Sequence, residues 1–271
     1  MRNHTRHVLQ KERGGEEGKG SDVQLTIKTN FPQVQRAIDN IGKQARYATA
    51  VALTRTAKDV REELKRQMTR DLDRPTPYTL NSLFLKPATR DKLEAVVWVK
   101  DDRATSKAGT PAVNYLLPNI EGGERHTKRF ERVLQMAGHL PKGWSVVPGQ
   151  GAQVDAYGNL SRGQIIQVLS QLRITPTAGY TRNLGFGARQ QITAQRKAGG
   201  RFFVMKPGGA VAPGVYQREF GGRNITPVMI FVRGVGYRKR FRFFETAQRV
   251  IAGNFPRHFD AELRRALQTA R

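Results

Sequence analysis

An apolar stripe through residues 32–70 constrains this chain more than any other feature. Val34, Ile38, Ile41, Ala45, Ala48 and Ala52 follow at spacings of 4, 3, 4, 3 and 4, and Leu53, Ala57, Val60, Leu64 and Met68 continue the stripe after a small shift of register. Only a helix brings residues so spaced to one side. Unbroken, that helix is about 55 Å long at about 1.5 Å per residue, and Gly42 is the expected position of a bend. Asn30 is a candidate cap, with Pro32 in the first turn, where its missing N–H costs little. The alanines at the middle of the stripe let another backbone approach closely.

Elements able to cover such a stripe lie on both sides of it. Val23, Leu25 and Ile27 alternate with polar residues and predict a strand. Pro75 and Pro77 stop the helix, and residues 83–85 and 95–99 read as strands, so the first third is β-α-β-β. Residues 202–205, 214–217 and 227–232 supply three more strands. Residues 244–271 form an amphipathic helix with Ala247, Val250, Ile251, Phe255, Phe259, Leu263 and Leu267 on one side and an expected break or bend at Pro256. Residues 101–200 are rich in Gly, Pro and Gln, and only 128–136 and 164–172 read as helical.

The expectation is an α+β fold: a mixed, mostly antiparallel sheet packed by a long N-terminal helix and a C-terminal helix, with a large loop-rich insertion. Residues 1–21 are a flexible arm, 22–100 and 201–271 the core domain, and 101–200 an insertion making contacts between subunits.

Charge restricts the partners. Lys and Arg number 47 against 22 acids, a formal net charge of +25, which calls for a negatively charged partner: nucleic acid, an acidic neighbouring subunit or membrane phosphate. The absence of cysteine excludes disulfides and thiolate metal sites. His4, His7, His126, His139 and His258 lack ligand spacing, and the acid pairs Glu62-Glu63 and Asp101-Asp102 read as solvated surface. The glycine-rich stretches at 185–187 and 148–151 lack the lysine and hydroxyl of a phosphate-binding loop, and Ser161 and Ser170 lack the flanking glycines of a nucleophile elbow. The chain therefore reads as a non-enzyme with no cofactor and no metal. Apolar runs such as 228–232 stop at five residues, far short of the roughly 18 of a membrane span, and the N-terminal residues are followed by no apolar leader segment.

Two basic clusters are the candidate contact sites. Arg182, Arg189, Arg196 and Lys197 lie in an acid-free, glycine-rich stretch, and Arg238, Lys239, Arg240 and Arg242 surround Phe241. Such cations suit nucleic-acid phosphates, with Tyr180, Phe186 and Phe241 as candidate stacking rings. The alternative is that they line a subunit interface or a pore wall facing an acidic neighbour. No zinc-finger, basic-zipper or RNA-recognition signature points to sequence-specific readout.

The helix carrying Ala48-Thr49-Ala50-Val51-Ala52-Leu53-Thr54-Arg55-Thr56-Ala57-Lys58-Asp59-Val60, the basic strands after it, Pro227-Val228-Met229-Ile230-Phe231-Val232 and the C-terminal helix follow a familiar order. This resembles tailed-bacteriophage minor tail proteins of the lambda Z type, the tail completion proteins, and more distantly phage neck and tail-terminator proteins. Pro75-Thr76-Pro77-Tyr78-Thr79, Tyr115-Leu116, Glu121-Gly122-Gly123, Lys128-Arg129-Phe130-Glu131 and Asp155-Ala156-Tyr157-Gly158-Asn159 resemble blocks of a larger, prophage-like variant. The resemblance implies a structural virion protein, assembled in the bacterial host cytoplasm and placed at the head-tail junction or upper tail. It implies a homo-oligomeric ring around the DNA channel, next to neck, portal-adaptor or tail proteins, touching packaged double-stranded DNA without sequence preference. A reading from charge alone competes with it: a monomeric, nonspecific nucleic-acid-binding or DNA-packaging accessory protein.

Overall fold

The structure is a computed structural model that describes residues 23–28, 34, 42–101, 111–174, 200–219 and 221–269. Its principal elements, in chain order, are β1 (Gln24–Lys28), α1 (Lys43–Asp71), α2 (Pro77–Leu80), β2 (Leu83–Lys86), β3 (Glu94–Val99), α3 (Ala112–Glu121), α4 (Arg129–Met136), β4 (Trp144–Pro148), α5 (Arg162–Gln171), β5 (Gly200–Met205), β6 (Gly214–Glu219), β7 (Ile225–Arg233) and α6 (Phe243–Gln268). The fold is α+β, with antiparallel sheets and a long helix near each end of the chain. The chain divides into two compact units, Met1–Gly123 together with Tyr237–Arg271, and Glu124–Gly236.

In the first unit β1, β3 and β2 form an antiparallel sheet in that order. Leu25 and Leu85 both pair with Val97, Ile27 with Ala95 and Leu83 with Val99, so these side chains share one face. That face is buried against α1, whose Leu53, Ala57, Val60, Leu64 and Met68 are wholly buried in the same cluster. Helix α1 starts after Gly42, whose φ of +63° favours glycine, at the position of the expected bend. Of the predicted helical residues before Gly42, only Val34 is described, and it is buried.

Helix α6 runs antiparallel to α1. Arg55 pairs with Glu262, Asp59 accepts a hydrogen bond from Asn254 (2.8 Å) and bonds to Nε2 of His258 (2.7 Å), and Arg249 approaches Glu63 (3.6 Å). Ala45, Ala48 and Ala52 are wholly buried, and the hydroxyls of Thr49 and Thr56 donate to carbonyls four residues back. Pro256 does not break α6. Proline inside a helix costs about 3 kcal/mol. Here it lies between Phe255 and Phe259, both buried and stacked at 6.0 Å, and burying each ring contributes about 2–3 kcal/mol.

The expected single core of 22–100 and 201–271 is divided differently. Strands β5, β6 and β7 do not join the β1-β3-β2 sheet; with β4 they make a second antiparallel sheet, ordered β4-β7-β6-β5, inside Glu124–Gly236. That unit has its own buried cluster, in which Val133, Leu134, Val168 and Leu169 of α4 and α5 cover Val146, Phe202, Val215 and Phe231 of the sheet. The described residues 111–174 are thus not a separate insertion. Helix α3 joins the first unit's core through Val113, Leu116 and Ile120, while α4, β4 and α5 build the second. Helices α4 and α5 correspond to the helical segments predicted at 128–136 and 164–172, whereas α3 and β4 contribute only a few apolar residues over at most ten positions and Pro118 interrupts the pattern of α3, so no long periodic stripe marks them. Gly214 permits the close approach of β6 to β7, because a Cβ there falls 2.2 Å from the carbonyl oxygen of Met229.

A buried carboxylate ties α4 to β4. Glu131 is fully buried and accepts from Arg125 (2.8 Å to Nη1), from the amide of Val146 (2.8 Å) and from the amide of Lys128 (2.7 Å). Burial pushes the Glu131 carboxyl up, but the Arg125 guanidinium and the two amides outweigh it and hold the group below the usual carboxylate range.

Two substitutions test these cores separately, because each unit holds one of the two tryptophans, Trp98 and Trp144. Val60→Asp buries an unpaired charge and should cost several kcal/mol, read as loss of the Trp98 unfolding transition in a Trp144→Phe background. Glu131→Gln should cost about 3 kcal/mol at pH 7, read from Trp144 emission during urea unfolding in a Trp98→Phe background. A lowered carboxyl stabilises the fold fully above its unfolded value of about 4.3 and loses that contribution as pH falls through the folded value. The gap between Glu131→Gln and its parent should therefore close below about pH 4, and a gap independent of pH would contradict the assignment.

Candidate nucleic-acid interface

The basic run at 238–242 immediately precedes α6, and two anchors fix its backbone. Phe241 is wholly buried in the first unit's core, edge-on to Phe243 at 5.8 Å. The amides of Arg240 and Phe241 both donate to the carbonyl of Asn119 on α3, each at 2.9 Å, and the Asn119 amide group donates in turn to the carbonyl of Tyr115 (2.9 Å). Burying one ring between charged neighbours turns the side chains around it outward: Arg238, Lys239, Arg240 and Arg242 are all exposed.

Their pairing is uneven. Lys239 bonds Glu245 in the first turn of α6, and that ammonium holds the Glu245 carboxyl below its usual range against a modest cost of burial. Arg238, Arg240 and Arg242 form no ion pair among the described residues, although the charge of Arg242 acts with Lys239 on the Glu245 carboxyl. Arg242 is also the N-cap residue of α6, and its side chain makes no cap. Three exposed guanidiniums thus lie within five residues before the positive end of a 26-residue helix. Guanidinium forks match phosphate oxygens, and a fixed backbone lowers the ordering cost of using them.

The structure separates the residues that the sequence groups together. Arg182, Arg189, Arg196 and Lys197, with Tyr180 and Phe186, lie outside the described residues. Phe241, expected as a stacking ring, is instead the core anchor of its cluster, so it offers no face to a base.

Aromatic surface lies elsewhere in the first unit, where the sequence reading assigned only strands. Phe84 and Trp98 pair across β2 and β3 with ring centroids 5.5 Å apart, both partly exposed, and the ammonium of Lys100 lies 5.0 Å from the Phe84 ring and 5.3 Å from that of Tyr78. The signal was present in β3: Ala95, Val97 and Val99 suffice for the buried face, so Val96 and Trp98 have to face the other way.

Other constellations do not converge. Among the described residues no group of three or more His, Asp or Glu side chains is placed to hold a metal ion, and no helix is long and apolar enough to cross a membrane. A shallow recess of about 400 Å³ in the second unit is lined by apolar groups such as Val133, Leu172 and Ile174, with His139 and Arg173 beside them. No protein-family model, curated protein or solved structure matches this chain.

Proposed function

We propose that this chain is a structural virion protein of a tailed bacteriophage, a neck or tail-completion subunit that forms a ring around the DNA channel at the head-tail junction. The resemblance of the alanine-rich helix, the 227–232 strand and the C-terminal helix to tail completion proteins supports the station, and the net charge of +25 supports contact with packaged DNA. The observation that carries the DNA contact is the anchored run in which Arg238, Arg240 and Arg242 are exposed and form no ion pair among the described residues. Unpaired guanidiniums on a fixed backbone suit phosphates, which need no sequence-specific geometry.

The second reading, a monomeric nonspecific nucleic-acid-binding or packaging accessory protein, draws on the same charge and dispenses with the ring. Oligomeric state separates the two. Negative-stain images and light scattering of the purified chain should show closed rings of defined mass; a monomer at all concentrations would favour the accessory reading.

The role of the cluster is tested by Arg238→Gln, Arg240→Gln and Arg242→Gln combined. Binding to duplex DNA should weaken equally for unrelated sequences, and the slope of log affinity against log salt should flatten by up to about three counterions, with oligomeric state unchanged. If the three arginines instead face an acidic neighbour, the substitutions abolish incorporation into particles and leave duplex affinity intact.

A further inference from the structure

We infer that the outer face of the β1-β3-β2 sheet is a stacking platform for single-stranded nucleic acid, on which Trp98 and Phe84 take unpaired bases while Lys100 and Lys86 meet the phosphates. The strand register maps this face in rows. Gln24, Trp98 and Phe84 form one row, Thr26, the buried Val96 and Lys86 the next, and Lys28 with Glu94 the third. The opposite face is committed to the core through Leu25, Val97 and Leu85.

Three features of the outer face fit one kind of occupant. Its rings lie side by side, with Phe84 and Trp98 5.5 Å apart and inclined by 30°, both partly exposed, and Tyr78 is 40% exposed nearby. Lys100 holds its ammonium within 5.3 Å of the Phe84 and Tyr78 rings, next to where the backbone of a stacked strand has to pass. The charge is one-sided: Glu94 is the acid of these rows and is matched by Lys28 and Lys92, whereas Lys86 and Lys100 have no acidic partner among the described residues.

Rings interleaved with unpaired cations are how proteins grip unpaired strands without reading sequence, since every base has a face to stack. Duplex DNA presents phosphates and base edges, and has no use for the rings. A protein interface centre is depleted in lysine, and a second copy of a chain carrying +25 brings more positive charge to a positive face. The platform and the 238–242 run stand on different elements, so this inference does not depend on the ring.

The test uses the full chain with Trp144→Phe, which leaves Trp98 as the sole tryptophan emitter. Titration with an oligothymidylate should quench Trp98 emission to saturation, and a duplex of equal length should not. Phe84→Ala with Trp98→Ala should lower single-strand affinity by about ten-fold per ring, leave duplex affinity within two-fold, and be largely rescued by Trp98→Phe with Phe84 retained. The combined arginine-to-glutamine variant at 238, 240 and 242 should weaken duplex binding and leave the Trp98 quench in place. Absent quenching overturns the inference and needs no ring variant to fold. Equal loss of single-strand and duplex affinity overturns it as well, as does failed particle assembly with single-strand affinity intact, which would assign the face to a protein neighbour.

Discussion

The antiparallel packing of α1 against α6 is the contact on which the first unit depends. Asp59 and His258, bonded across it, are 199 residues apart, and the whole of Glu124–Gly236 intervenes in the chain. Closing so long a loop carries an entropic cost that grows only slowly with length, and a continuous seam can meet it. Ala52 and Ala57 of α1 and Phe255 and Phe259 of α6 are buried in one cluster, and the Arg55–Glu262, Asp59–His258 and Glu63–Arg249 contacts fix the register. The exposed ion pairs add little energy of their own. They do distinguish this register from a slip by one turn, which would set unlike partners against each other.

That seam also positions the basic run. Because α6 has to start where Phe243 enters the core, the residues just before it are held against α3 by two hydrogen bonds to Asn119 and by the burial of Phe241. Cations in a solvated loop lose side-chain and backbone freedom on meeting a ligand; here the backbone part is lost on folding. The same packing that stabilises the unit therefore preorganises its unpaired guanidiniums.

The second unit is held by shorter-range means. Its strands β5, β6 and β7 pair with their neighbours in the chain while β4 closes on β7, and the Glu131 carboxylate joins the start of α4 to the middle of β4 through an amide on each. Burying a carboxylate is costly, and Arg125 with those amides offsets the cost. With a separate core and a separate polar clasp, this unit has its own determinants of stability.

Long, strongly periodic segments were legible in the sequence. The 3.6-residue stripe of α1, the stripe of α6, the alternation in β1 and the apolar run of β3 each correspond to the element predicted, because many apolar residues on one helix or strand leave few other ways to bury them. Two short helices were legible as well, α4 and α5, read at 128–136 and 164–172, whereas α3 and β4 carry too few apolar residues for a period to emerge, and only in contact with a sheet or a helix does their burial become defined. The partition into two cores was likewise a tertiary decision, since a strand's own sequence states that it has a buried face and not which sheet will bury it. At the candidate sites the sequence determined composition, a large positive charge with aromatic residues among the cations. Only the fold decided which rings are structural and which remain at the surface, burying Phe241 and leaving Trp98 and Phe84 partly exposed, because exposure depends on which face the rest of the chain covers.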